Sequence, residues 1–270
     1  MRVLPAAPDT GVVFVRTDVR GPASRMIAAS GEAVCKTQLG TVIGNADGVT
    51  VATIEHLMAA LAMLGVDNAR VELNGPEMPI MDGSSAPFVQ MLDQAGRRAQ
   101  DAPRRFVEIL EPVEVVDGDK WARLSPCQGF EVAFEIAFDS PVIGRQRVDM
   151  PMGERAFRNE LADCRTFGFL KDVEALRAVG LARGGSLENV VVIDGDRILN
   201  PEGLRRPDEF VRHKALDAIG DLYVLGGPLI GRYEGVLAGH GLNNALVRAL
   251  LARPSAWRWR TEVLDLAKAG

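Results

Sequence analysis

Two helical stretches that each stop at a Leu-Gly pair, Leu64-Gly65 and Leu225-Gly226, divide this chain into two similar halves. In the first, Ile54, Leu57, Met58, Leu61 and Leu64 recur at helical spacing, and Gly65 supplies a left-handed stop. In the second, the pattern predicts a helix over 208–225, ended by Gly226-Gly227 with Pro228 beyond. Strands precede each helix, and a further strand, a loop and a shorter helix follow it. Those shorter helices are expected at 88–95, ended by Gly96, and at 243–252, followed by Pro254. Asp117-Gly118 and Asp194-Gly195 lie between apolar stretches and mark hairpin turns. Phe130, Val132, Phe134, Ile136 and Phe138 alternate as a half-buried strand does. The charged stretch 97–105, with Pro103 inside it, is the natural linker. The chain therefore reads as α+β, with a first domain near 1–102 and a second near 103–270. The second is lengthened by an inserted helix and hairpin around 168–200.

Composition narrows the function classes. With 31 Lys and Arg against 36 Asp and Glu the formal net charge is −5, which argues against broad nucleic-acid binding. No apolar run approaches the roughly 18 residues of a membrane span, and the opening MRVLPAAPDTG has no signal-peptide core. Cys35, Cys127 and Cys164 are scattered and form no C-x-x-C pair. They read as reduced thiols of a cytoplasmic protein.

The chemistry lies with the histidines, of which there are three. His213 and Asp217 are four residues apart on the second long helix, on the side opposite the apolar stripe of Val211, Ala215, Ala218, Ile219 and Leu222, and Asp221 lies four further on. Side chains at this spacing share a face, so an imidazole and a carboxylate can reach one ion. That pair suits Zn²⁺, and a third nitrogen would leave one tetrahedral position open. The plain alternative is a solvated helix face. His56 is the available third ligand, and Glu55, its chain neighbour, would then sit close enough to deprotonate a water made acidic by the metal. Alternatively, Glu55 and His56 form the wet edge of an amphipathic helix. His240 stands between Gly239 and Gly241, which suits a histidine reaching a site from a loop, or one that caps the next helix.

Three long segments carry a resemblance beyond these spacings: TIEHLMAALAMLGVDNARVELNGPEMPIMDGSSAPFV, CRTFGFLKDVEALRAVGLARGGSLENVVVIDGDRILNPEGLR and DEFVRHKALDAIGDLYVLGGPLIGRYEGVLAGHGLNNALVRALL. In this order, and within a match from about Pro8 to Arg253, they closely resemble the zinc-dependent UDP-3-O-acyl-N-acetylglucosamine deacetylases of lipid A synthesis. The resemblance implies two α+β domains with helices sandwiched between two sheets and the site at their junction. It implies His56, His213 and Asp217 as zinc ligands, Glu55 as general base and His240 as general acid or electrostatic partner. It places Lys214, Asp221 and Thr166 beside the metal, with Thr166 a candidate oxyanion donor. Phe167 and the 168–200 unit, with Leu176 and Leu181, would form the passage for the acyl chain. The implied substrate is a UDP-linked acylated amino sugar, with no nucleic acid or integral membrane partner and a monomer expected. The rivals are a deacetylase of another N-acetyl sugar and a shortened, weakly active or inactive relative that only binds zinc or a nucleotide sugar.

There is one departure. Members of that family open with a strand and a G-x-G-L-H-S-G turn ahead of a stretch like PAAPDTGVVFVRTD, and here the chain begins at Met1, just ahead of that stretch, so the opening strand and its histidine are expected to be absent. The expectation is that the strand read at 11–19 lacks its upstream partner. An open edge would result, with a cost in solubility and activity.

Overall fold

The computed structural model of the chain describes residues 1–21, 25–172 and 184–262. In the first half the order is β1 (Arg2–Pro5), β2 (Val12–Arg16), β3 (Met26–Ala28), β4 (Val34–Lys36), β5 (Val42–Gly44), β6 (Thr50–Val51), α1 (Glu55–Met63), β7 (Ala69–Leu73) and α2 (Ala86–Ala95). Strands β1, β7, β2 and β3 form one sheet in that order, and β4, β5 and β6 form a small second one. In β7, Ala69, Val71 and Leu73 are buried while Arg70 and Glu72 pair on the outer face at 2.8 Å, the period-2 pattern of a sheet with one wet side.

The expected open edge on the 11–19 stretch is not found. β2 pairs in parallel with β7 on one side and antiparallel with β3 on the other, so its backbone groups are satisfied on both sides. The terminal strand on that side of the sheet is β1, which pairs antiparallel with β7.

The second half runs β8 (Arg104–Ile109), β9 (Val113–Asp117), β10 (Lys120–Ser125), β11 (Phe130–Ala137), β12 (Arg145–Met152), α3 (Glu154–Glu160), β13 (Phe167–Phe169), β14 (Val191–Asp194), β15 (Arg197–Ile198), α4 (Glu209–Leu222), β16 (Leu229–Val236), α5 (His240–Leu251) and β17 (Trp257–Glu262). Its large sheet has the order β12-β11-β16-β10-β9, extended by β8 on β16 and β17 on β8. Both expected hairpins form, β9 to β10 and β14 to β15. Val132, Phe134 and Ile136 of β11 are buried as their alternation requires, whereas Phe138 lies past the end of the strand and is 37% exposed.

One cluster of buried side chains runs from Phe14, Ile27 and Val71 through α1 and α4 to Phe134, Tyr233 and Leu246. Helices α1 and α4 lie inside it. Every residue of α1 from Glu55 to Ala62 is buried, and in α4 the buried set includes His213, Asp217 and Asp221 as well as the apolar stripe. Neither helix has a solvated face, so both wet-surface readings of these residues fail. A helix covered on all sides retains polar residues only where they find partners.

Candidate metal centre and active site

The two buried helices meet at Gly220. A Cβ on that residue would lie 2.0 Å from the Glu55 carbonyl oxygen, so only glycine lets α4 cross the start of α1 this closely. The crossing brings Glu55 and His56 against the polar groups of α4.

His56 Nε2 and His213 Nε2 stand 3.5 and 3.3 Å from the same oxygen, Asp217 Oδ1. One ligand atom from each of the three residues falls within 4.8 Å of the others. Asp217 divides its carboxylate. Oδ2 accepts from Lys214 Nζ at 2.6 Å, while Oδ1 is buried with no hydrogen-bond partner. A buried carboxylate oxygen left orphaned between two imidazole nitrogens is costly unless a cation joins it. Two imidazoles and a carboxylate are also the donor set of an open zinc site, so the residues fit Zn²⁺.

Electrostatics agrees. Burial pushes His213 down to about 3, keeping its imidazole neutral as a ligand must be. Its Nδ1 lies 3.0 Å from the Cys164 carbonyl, which only accepts, so Nδ1 carries the proton and the Nε2 lone pair faces the site. Burial opposes ionisation of Asp217, but the neighbouring positive charge, with Lys214 hydrogen-bonded to Oδ2, outweighs it and holds the carboxyl well below its ordinary value. Burial likewise disfavours the Lys214 ammonium, and the Asp217 charge overcomes this, leaving its pKa raised.

Glu55 borders the triad through His56, and its Oε2 accepts the Thr41 N–H at 3.0 Å. Burial raises its proton affinity, against the pull of His240 and His56. Thr41 then turns its hydroxyl to Asp221 Oδ1 at 2.5 Å, and Asp221 Oδ2 lies 2.8 Å from His240 Nδ1. His240 Nε2 points to the metal side, 3.9 Å from Asp217 Oδ2. Burial alone would lower its pKa; the Asp221 charge and hydrogen bond reverse this and hold it up to about 9.

The family profile for UDP-3-O-acyl N-acetylglycosamine deacetylase (LpxC) matches residues 1–252. A UDP-3-O-acyl-N-acetylglucosamine deacetylase of Phenylobacterium zucineum is 77% identical over 267 residues, which cover 99% of this chain and 91% of that protein. Enzymes of the same name from Myxococcus xanthus and Acidithiobacillus ferrooxidans are 54% and 52% identical, each over 94% of this chain and over 80% and 84% of theirs. The chain belongs to the UDP-3-O-acyl-N-acetylglucosamine deacetylase family.

Of the residues singled out in the sequence of this deacetylase family member, His56, His213, Asp217, Glu55, Lys214, Asp221 and His240 fall into one buried cluster. His240 does so from a different element than expected. It is the first residue of α5, because the first helical bond runs from the Asn243 N–H to the Gly239 carbonyl at 3.0 Å, three residues ahead of the expected start. Thr166 is tied to the first half by its N–H on the Gly83 carbonyl, 2.8 Å away, and lies two residues from the carbonyl that anchors His213. The Phe167 ring packs edge-on against Phe138 and Phe210 and lies 6.5 Å from the His213 ring. Leu176 and Leu181 lie outside the described residues. Sequence reasoning passed over Thr41, which binds both Glu55 and Asp221, and Asn243, whose amide donates to Asp221 Oδ2 at 2.8 Å. Nothing local marks Thr41, whereas Asn243 sits one turn beyond His240 in a helix whose start the pattern misplaced.

Proposed function

We infer that this chain is a zinc-dependent amidohydrolase of lipid A biosynthesis. It hydrolyses the acetamide of UDP-3-O-acyl-N-acetylglucosamine to acetate and UDP-3-O-acyl-glucosamine. The observation that carries the reading is the orphaned Asp217 Oδ1 between the His56 and His213 nitrogens, with Glu55 next in chain to a ligand. Zn²⁺ held by these residues supplies Lewis acidity, bringing deprotonation of water within reach near neutral pH.

Glu55 takes the proton of the attacking water, and its burial favours acceptance. The hydroxide adds to the acetamide carbon, and the Thr166 hydroxyl donates to the oxygen that gains charge. His240, with Nδ1 engaged by Asp221, gives a proton from Nε2 to the departing nitrogen as the C–N bond breaks. Lys214 keeps Asp217 ionised and adds positive charge beside the reacting group. The contacting rings of Phe138, Phe167 and Phe169 begin 6.5 Å from the His213 ring and form the wall along which the acyl chain lies.

The unit boundary falls near residue 102, where 96–103 carries neither helix nor strand between α2 and β8. A monomer suffices, because one chain supplies every group of the site. No described helix is long and apolar enough to cross a membrane, and three free cysteines suit a reducing cytoplasm.

The test is acetate release from the UDP-linked acyl sugar with and without a zinc chelator. Release that stops with chelator and returns with zinc is expected. A zinc-loaded protein that releases no acetate from this sugar would overturn the reading.

A further inference from the structure

Asp221 accepts more than the His240 proton. Its Oδ2 also takes the Asn243 amide at 2.8 Å, and its Oδ1 takes the Thr41 hydroxyl at 2.5 Å. A carboxylate only accepts, so Asn243 must turn its NH₂ towards Asp221, leaving Oδ1 on the other side. There the Tyr233 hydroxyl meets it at 2.6 Å, and since an amide oxygen only accepts, Tyr233 donates. The result is a one-way chain of donors, from Tyr233 to Asn243 to Asp221. Tyr233 is fully buried in the middle of the large sheet, on β16 between β10 and β11. Space for its hydroxyl is provided by Gly235, where a Cβ would lie 2.6 Å from that oxygen.

We propose that Tyr233, acting through Asn243, is a positioning residue that fixes the Asp221 carboxylate and so keeps His240 Nε2 turned to the reacting site. Without the tyrosine donor the Asn243 Oδ1 is left buried and unpaired, so the amide is held at one end only and its grip on Asp221 Oδ2 loosens. Asp221 then rotates towards Thr41, and His240 loses the partner that holds its Nδ1 proton and ring orientation. The reach of this chain explains a buried phenol and a buried amide that packing alone does not require. The inference rests on the role given above to His240.

The experiment is a double-mutant cycle on the zinc-loaded enzyme with Tyr233→Phe, His240→Gln and both together. Tyr233→Phe should lower kcat roughly three- to ten-fold, the range of one neutral hydrogen bond. KM and zinc content should be unchanged, and the same substitution should cost nothing further on the His240→Gln background. In ¹⁵N spectra of the metal-free protein taken above pH 9, where the ring is neutral, His240 should carry its proton on Nδ1 and lose that preference in Tyr233→Phe. Should that variant fold poorly, Asn243→Ser removes the amide in the same cycle. Unchanged kcat in the variants, or an equal loss on both backgrounds, would overturn the positioning role. Wild-type turnover in His240→Gln alone would instead sink the role of His240, and the inference with it.

Discussion

Gly220 faces the Glu55 carbonyl so closely that a methyl group there would sit 2.0 Å from the oxygen and 2.7 Å from its carbon. Both atoms are main chain in the middle of the core, so neither can swing aside. Gly220→Ala should therefore force α1 and α4 apart and cost about 3 kcal/mol, the upper end for overpacking. A chain of this size would show that as a fall of roughly 6–12 °C in Tm. Zinc affinity should drop with it. Gly75→Ala, where an added Cβ meets nothing within 4 Å, is the control. A melting curve for Gly220→Ala that overlays the wild type would contradict the crossing.

One zinc per chain is expected, bound through His56, His213 and Asp217. Asp217→Ala should abolish both tight zinc and acetate release while the far-UV spectrum persists, because the apolar contacts of α4 do not involve Asp217. Metal content after dialysis gives the answer. Stoichiometric tight zinc in a variant with all three residues changed to alanine would refute the ligand assignment.

The high-pH limb of kcat/KM should report His240. Its pKa is raised, so the protonated, proton-donating form prevails below the folded value and is lost as pH rises through it. That value is about 9 here, and the positive charge of a zinc ion draws it lower. Activity should accordingly fall on the alkaline side at or below pH 9, with apparent values belonging to the coupled site. His240→Gln should keep zinc, depress kcat and flatten this limb. An alkaline limb of unchanged shape in that variant would remove His240 from the acid role.

Phe138 offers a clean probe of the acyl wall, since it is 37% exposed yet its ring contacts Phe167 and Phe169. Phe138→Ala should raise KM for the acylated substrate by roughly five- to thirty-fold, the equivalent of about 1–2 kcal/mol of lost apolar contact. A substrate lacking the acyl chain should be affected much less, and Tm little. Equal effects on both substrates would show that the ring serves another purpose.

Much of this was legible in the sequence, for identifiable reasons. The α1 and α4 patterns are dense in apolar residues; Gly65, at φ +71°, stops the first, and α4 passes after Leu222 into a 3-10 turn over 223–225 that Gly226, at φ +90°, closes. The ligand spacing of His213 and Asp217 is a local property of one helix, and so it was readable. β12 was not. It is paired only with β11, carries Arg145, Arg147 and Asp149 on its exposed side, and contains Pro151, so little apolar alternation survives. The partner of the 11–19 strand was misjudged because strand pairing is nonlocal: β7, which covers it in parallel, lies beyond α1. Thr41 was invisible for the same reason, since its hydroxyl meets Asp221 across 180 residues of chain.

The proton on His213 Nδ1 is held by the Cys164 carbonyl, and Glu55 Oε2 is held by the Thr41 N–H. Both anchors are main-chain atoms, which every amino acid but proline supplies in full. Codon changes at 164 can alter the thiol, and changes at 41 the hydroxyl, without deleting either anchor. A ligand and a base are thus buffered against mutational drift in their supports. His240 has no such insurance: its support passes through the side chains of Asp221, Asn243 and Tyr233, each of which one nucleotide change can remove.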